Sequence, residues 1–112
     1  IKLYEGYRAD PRILTLVRRS VDYQWRTQWV PTGGGFKYLS GECANVGGPW
    51  AAGDLNGLIV TPFGWLARTT GEAHYRTAGD EVFAAGVAHA YLSGQKQFNQ
   101  AYATSFRYLG YR

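Results

Sequence analysis

The chain has 112 residues, of which 46% are hydrophobic and 16% aromatic, and its formal net charge is +4. This length fits one small domain, and the single cysteine excludes an internal disulfide. No apolar run approaches the ~20 residues that span a bilayer, and the basic residues are dispersed, unlike the dense basic face typical of nucleic-acid binding. We therefore expect neither a membrane nor a nucleic-acid partner.

The first predicted helix follows an N-terminal arm over residues 1–10. Asp10-Pro11 opens it, because aspartate accepts hydrogen bonds from the free N–H groups of a first turn and proline fits the first helical position. Apolar residues then recur at helical spacing. They are Ile13, Leu14, Val17, Val21 and Trp25. The sequence thus predicts a helix over 11–29.

A long loop over residues 30–53 separates this helix from the next. It holds seven of the fifteen glycines and two of the four prolines, which is too broken for a helix. The segment "FKYLS" could form a short strand. Loops of this length inside a compact domain are uncommon and often functional.

The second predicted helix covers 54–70 and is followed by a third over 73–92. Asp54 is the expected cap of the second helix, and Pro62 should kink it near Leu58 because proline removes one backbone hydrogen bond. Gly71 should end it in the left-handed conformation common at helix C-termini.

The third helix has Tyr75, Val82, Phe83, Val87 and Tyr91 on its expected apolar face. Gly79 and Gly86 lie on one side of it, where a neighbouring helix could approach closely. Ser93-Gly94 breaks the chain, and a fourth helix follows. Its expected apolar stripe is Phe98, Tyr102, Phe106 and Leu109.

These elements predict an all-α chain of about four helices packed as antiparallel hairpins. Because helices in such an arrangement alternate in direction, the loop 30–53 and the break 93–96 should lie at one end, and the turn 70–73 at the other. The end with the long loop is therefore the expected functional end.

A carbohydrate-binding site is the chemistry that best suits the residues expected at this end. Flat aromatic rings stack on the apolar faces of sugars, while amides and charged groups bond their hydroxyls. The predicted substrate-binding residues are Lys37, Tyr38, Trp50, Asn56, Gln95, Gln97 and Asn99. The alternative for the amides after Gly94 is that they satisfy backbone groups at the start of the fourth helix.

Catalysis by this chain is only weakly indicated. Hydrolysis of a glycosidic bond needs two carboxyl groups across the bond, and Glu42 and Asp54 are the only acids expected at the loop end. The alternatives are a helix cap for Asp54 and a solvated side chain for Glu42. The glycine run 33–35 is followed by Phe36 and is not a phosphate-binding loop, and no spacing typical of metal ligands occurs. We expect no cofactor and no metal.

The stretches "GGFKYLSG", "RTTGEAHY" and "AGDEVFAAG" resemble the hairpin pattern of α/α-toroid proteins, over about residues 10–112. That fold class includes many glycoside hydrolases, polysaccharide lyases and sugar epimerases. The resemblance implies that residues 1–112 form either one helical domain or the C-terminal hairpins of a larger toroid. It also implies binding or processing of a polysaccharide or oligosaccharide, and an extracellular or periplasmic location.

The alternative function is a structural or subunit-interaction protein without enzymatic activity. The chain has four Trp, nine Tyr and five Phe, more than a small core usually needs, and surplus aromatic surface often marks a partner. In this reading other protein chains, or the rest of a larger protein, cover the aromatic side chains.

Overall fold

The computed structural model describes residues 1–38 and 51–93 in full, together with the backbone of 99–112 and the side chains of 104–112. Six α-helices occur in this part of the chain. They are α1 (Lys2–Gly6), α2 (Pro11–Thr27), α3 (Asn56–Ile59), α4 (Thr61–Thr70), α5 (Ala73–Ala88) and α6 (Asn99–Tyr111). Two short antiparallel strands, β1 (Trp29–Val30) and β2 (Gly35–Phe36), complete the fold. The predicted all-α character is confirmed, with this small sheet added.

The start of α2 is as predicted. The Asp10 carboxylate accepts a hydrogen bond from the backbone N–H of Arg12 at 2.9 Å, and Pro11 occupies the first helical position. The helix ends two residues earlier than expected, because Trp29 enters β1.

The N-terminal arm, expected as irregular chain, contains the helix α1. The Tyr4 ring meets Trp65 edge-on, with 5.2 Å between ring centroids. The Tyr111 hydroxyl donates a hydrogen bond to Glu5 at 2.8 Å. Contacts with distant parts of the chain therefore hold this segment in place.

The described part of the long loop forms a hairpin. Trp29 pairs with Phe36 and Val30 with Gly35, and a 3₁₀ turn over Pro31–Gly33 joins the strands. Gly34 has a φ of 57°, which glycine adopts at little cost. The expected strand at "FKYLS" thus begins one residue earlier and extends through a bridge between Lys37 and Ala51.

The second predicted helix is interrupted, as expected, by the segment around Pro62. A 3₁₀ turn over Gly53–Leu55 leads into α3, and α4 follows after Val60 alone. The break lies two residues beyond the predicted kink at Leu58. Gly71 ends α4 with a φ of 75°, as predicted.

The third predicted helix ends four residues early, at Ala88. The carbonyl of Ala85 accepts the backbone N–H of His89 at 3.0 Å and lies 2.8 Å from its imidazole Nδ1. The His89 ring packs against Gly34 and Gly53. Gly34 and Gly53 of the predicted loop therefore lie at the end of α5 opposite Gly71. Residues 39–50 of that loop and most of the break 93–96, expected at the same end, lie outside the described residues.

Helix α4 is the centre of the fold and packs against α2, α5 and α6. Its Phe63, Trp65 and Leu66 are almost fully buried. The fourth helix buries a different face from the expected one: Tyr108 is 0% exposed, whereas Phe106 and Leu109 are 58% and 47% exposed. The antiparallel hairpin arrangement of a toroid stays a prediction.

Candidate functional site

A surface cleft of about 310 Å³ lies between α2 and the strand hairpin. Helix α2 forms one wall, and β2 with the two residues after it forms the other. Its lining residues are Ser20, Tyr23, Gln24, Gln28, Phe36, Lys37, Tyr38 and Ile59. A volume of this size is at the lower end of the range typical of small-ligand sites.

Backbone pairing sets the geometry of the cleft. The N–H of Lys37 donates to the carbonyl of Gln28 at 2.8 Å, which joins the hairpin to the end of α2. Phe36 is 4% exposed and packs against the rings of Trp29 and Phe63, with centroids 5.1 and 6.2 Å apart. Since this aromatic base is buried in the core, the cleft rests on rigid structure.

Two tyrosines of the cleft are largely exposed. Tyr23 on α2 is 56% exposed, and Tyr38 after β2 is 66% exposed. An aromatic ring left open beside polar groups can stack on an apolar ligand face while its hydroxyl stays wet. The cleft therefore offers two such rings, one from each side.

Three polar side chains of the cleft are available to a ligand. In residues 1–38 and 51–93, the side chains of Ser20, Gln24 and Lys37 form no hydrogen bond or ion pair with another described residue. No described carboxylate lines the cleft. The site thus presents a hydroxyl, an amide and an ammonium group without an internal acidic partner.

A second polar cluster joins α2 to the start of α5. The Arg18 guanidinium donates to Glu72 at 2.5 Å, and the Tyr75 hydroxyl donates to Asp22 at 3.0 Å. Burial of the phenol, and then its bond to Asp22, raise the pKa of Tyr75 to about 12. These contacts brace α2 on the side away from the cleft residues.

A third cluster joins α5 to α6. The Asp80 carboxylate accepts the Tyr108 hydroxyl at 2.6 Å and also pairs with the Arg112 guanidinium. The Arg112 hydrogen bond lowers the pKa of Asp80, and burial raises that of Tyr108. The components of this cluster satisfy one another, so we assign it a structural role.

The structure brings together two of the predicted substrate-binding residues, Lys37 and Tyr38. Asn56 has no exposed surface; its amide donates to the carbonyls of Gly34 and Val82 at 2.9 and 3.1 Å. An amide that binds sugar needs exposed atoms. Asn56 is instead buried between its own helix α3, helix α5 and the hairpin, so it is not available to a ligand.

The other predicted residues are distributed as follows. Asp54 is half-buried within the 3₁₀ turn Gly53–Leu55, so it does not occupy the cap position expected of it, and it does not line the cleft. Asn99 opens α6, and its side chain is outside the described part. Four predicted residues lie outside the described residues altogether: Glu42, Trp50, Gln95 and Gln97.

Sequence reasoning missed the contribution of α2. Ser20, Tyr23, Gln24 and Gln28 recur at three- and four-residue spacing, which places them on one helix face. An exposed tyrosine among amides on that face was the available signal. Its significance depends on the hairpin opposite, which the helical pattern does not reveal.

The described residues contain no group of three or more His, Cys, Asp or Glu side chains arranged to hold a metal ion. None of their helices is both long and apolar enough to cross a membrane.

Comparison of the chain with family models, curated proteins and solved structures found no match. The α/α-toroid resemblance therefore rests on the sequence stretches that carry it. Any functional conclusion has to come from the chemistry of the cleft between α2 and the hairpin.

Proposed function

We propose that this chain binds carbohydrate through the cleft between α2 and the strand hairpin. The supporting observation is the pair of exposed tyrosines, Tyr23 and Tyr38, on opposite walls of a cleft in which the side chains of Ser20, Gln24 and Lys37 have no described partner. A sugar has apolar faces and a rim of hydroxyls, so it needs both kinds of contact at once.

Each wall has a defined part in this binding. The rings of Tyr23 and Tyr38 stack on sugar faces, while Gln24 and Ser20 hydrogen-bond to hydroxyl groups. The cleft volume of about 310 Å³ accommodates a short stretch of a glycan. Because Phe36 is anchored in the core, little ordering of the backbone opposes binding.

The proposal is of a binding module. Glycoside hydrolysis needs a pair of carboxyl groups, and the described lining of the cleft contains none. Membership of an α/α-toroid protein, as its C-terminal hairpins, and an extracellular or periplasmic location belong to the same proposal, which the sequence resemblance supports.

The test is binding to a glycan array, followed by calorimetry with the best ligand. Tyr23→Ala and Tyr38→Ala should each weaken binding about tenfold, since covering ~55 Å² of apolar ring surface at ~25 cal/mol per Å² contributes ~1.4 kcal/mol. Tyr7→Ala is the matched control, because Tyr7 is 88% exposed and lies outside the cleft. If the three variants bind equally well, or if no glycan is bound, the proposal is wrong.

Subunit interaction is the second candidate function. Three side chains favour it: Leu3, Leu16 and Leu92 are 67%, 66% and 85% exposed. Burial of such surface between chains would stabilise an assembly. Sedimentation velocity over a wide concentration range tests this alternative, and a chain that stays monomeric throughout would exclude self-association.

A further inference from the structure

We propose that the ligand is an acidic polysaccharide, bearing carboxylate or sulfate groups, that runs along the exposed face of α2. This inference rests on the proposed function. It begins from a second hollow on α2, with a volume of about 380 Å³. The lining residues are Pro11, Arg12, Thr15, Leu16 and Arg19.

The two hollows follow one another along the same helix. The second hollow ends at Arg19, and the cleft begins at Ser20. Their α2 residues are centred about eight positions apart, which corresponds to ~12 Å at 1.5 Å per residue. Arg12, Leu16, Arg19 and Tyr23 follow one another at four-, three- and four-residue spacing, so these members of the two linings share one side of the helix. A ligand that occupies both must therefore be an extended chain.

The central residue of the second hollow is apolar. Leu16 is 66% exposed, and among the residues that line the hollow it lies between Arg12 and Arg19 along the chain. An apolar side chain flanked by guanidinium groups can contact the face of a sugar ring while the cations bind its substituents. This repeats the combination of ring contact and polar contact found in the cleft.

The charges on this path are positive and mostly unpaired. The side chains of Arg19 and Lys37 form no ion pair with a described residue, and Arg12 shares its charge with the cap residue Asp10 at 2.6 Å. Neither hollow has a described carboxylate in its lining. Two other arginines are neutralised by carboxylates, since Arg18 pairs with Glu72 and Arg112 with Asp80.

These observations select the ligand class. Cations aligned beside exposed apolar groups complement a chain that carries acidic groups at intervals along sugar rings. A neutral glycan would leave Arg19 and Lys37 without partners. The acidic groups supply those partners, and the rings of the same ligand contact Leu16, Tyr23 and Tyr38.

The experiment compares calorimetric affinities for a polyuronate, a sulfated glycan and a neutral glycan of equal length, at low and high salt. We expect the acidic chains to bind about tenfold more tightly than the neutral one at low salt, and high salt to remove most of that difference. Lys37→Gln and Arg19→Gln should each weaken acidic-chain binding about fivefold without affecting the neutral chain. Arg8→Gln, at an exposed residue outside both hollows, is the control and should bind like the wild type.

Each other outcome is decisive. Equal affinity for neutral and acidic chains would overturn this inference and leave the proposed carbohydrate function standing. Binding that does not strengthen from short to long acidic oligomers would overturn the extended path. Equal binding of single-stranded DNA would show a non-specific response to polyanions and would also overturn it. Absence of binding to every glycan would refute the proposed function itself.

Discussion

The Gly79→Ala substitution tests how the core is assembled around Tyr108. A Cβ atom at Gly79 would lie 2.7 Å from Tyr108 Cε2, 2.8 Å from its hydroxyl oxygen and 3.1 Å from Phe63 Cβ. The ring cannot move aside easily, because Tyr108 is fully buried and its hydroxyl donates to Asp80 at 2.6 Å. Gly64 of α4 touches the same ring and would place a Cβ 2.9 Å from Cδ2.

The expected magnitude follows from two opposing effects. Overpacking a filled core costs ~1–3 kcal/mol, whereas alanine in place of an interior helical glycine gains ~1 kcal/mol. Because the Tyr108 ring is held in place, the steric cost falls in the upper part of this range, ~2–3 kcal/mol, and we expect Gly79→Ala to lower the free energy of unfolding by about 1–2 kcal/mol. For a chain of this size, that corresponds to a fall in melting temperature of ~4–10 °C.

Gly110→Ala is the matched control for this prediction. Gly110 also lies in a helix, α6, but a Cβ there would meet nothing within 4 Å. It should leave stability unchanged or raise it by up to ~1 kcal/mol. Thermal and urea unfolding followed by circular dichroism measures both variants. If Gly79→Ala proved as stable as Gly110→Ala, the close contact between α5 and Tyr108 would be wrong.

Two further predictions concern pH. The pKa of Tyr75, raised to about 12 from 10.0, means that its contribution to stability is complete below about pH 10 and is lost between about pH 10 and 12. Tyr75→Phe should therefore flatten the alkaline loss of unfolding free energy, and equal slopes for variant and wild type would contradict this. Arg112 lowers the pKa of Asp80 in the folded chain. The ionised Asp80 carboxylate therefore stabilises the fold fully above the pKa of an unfolded aspartate, ~3.9, and this stabilisation is lost as the pH falls through the lower pKa of the folded state. The wild type should exceed Asp80→Asn in unfolding free energy at neutral pH, with the difference closing in acid, and a constant difference would contradict this.

Local signals in the sequence were sufficient for the helix boundaries that depend on neighbouring residues alone. Asp10-Pro11 starts α2 and Gly71 ends α4, because capping and left-handed backbone are properties of a few adjacent residues. The end of α5 at Ala88 was missed, since the packing of His89 against Gly34 and Gly53 involves residues distant in sequence.

The cleft shows the same difference between what neighbouring residues predict and what contacts between distant residues decide. The sequence indicated Lys37 and Tyr38 from their place in an aromatic, glycine-rich loop. It did not indicate Tyr23, because an exposed tyrosine on a helix becomes part of a site only when another segment closes the opposite wall. The bond from Lys37 N–H to the carbonyl of Gln28 provides that closure.

The amino-acid pattern by itself therefore determined a mostly helical chain, the starts of α2 and α5 and the end of α4. Tertiary structure alone decided which side of α6 is buried. The apolar stripe predicted Phe106 and Leu109, but Tyr108 is buried because Gly64 and Gly79 leave room for its ring and Asp80 accepts its hydroxyl. Helical periodicity specifies which residues share a face, whereas the space and the hydrogen-bond partners that select the buried face come from other helices.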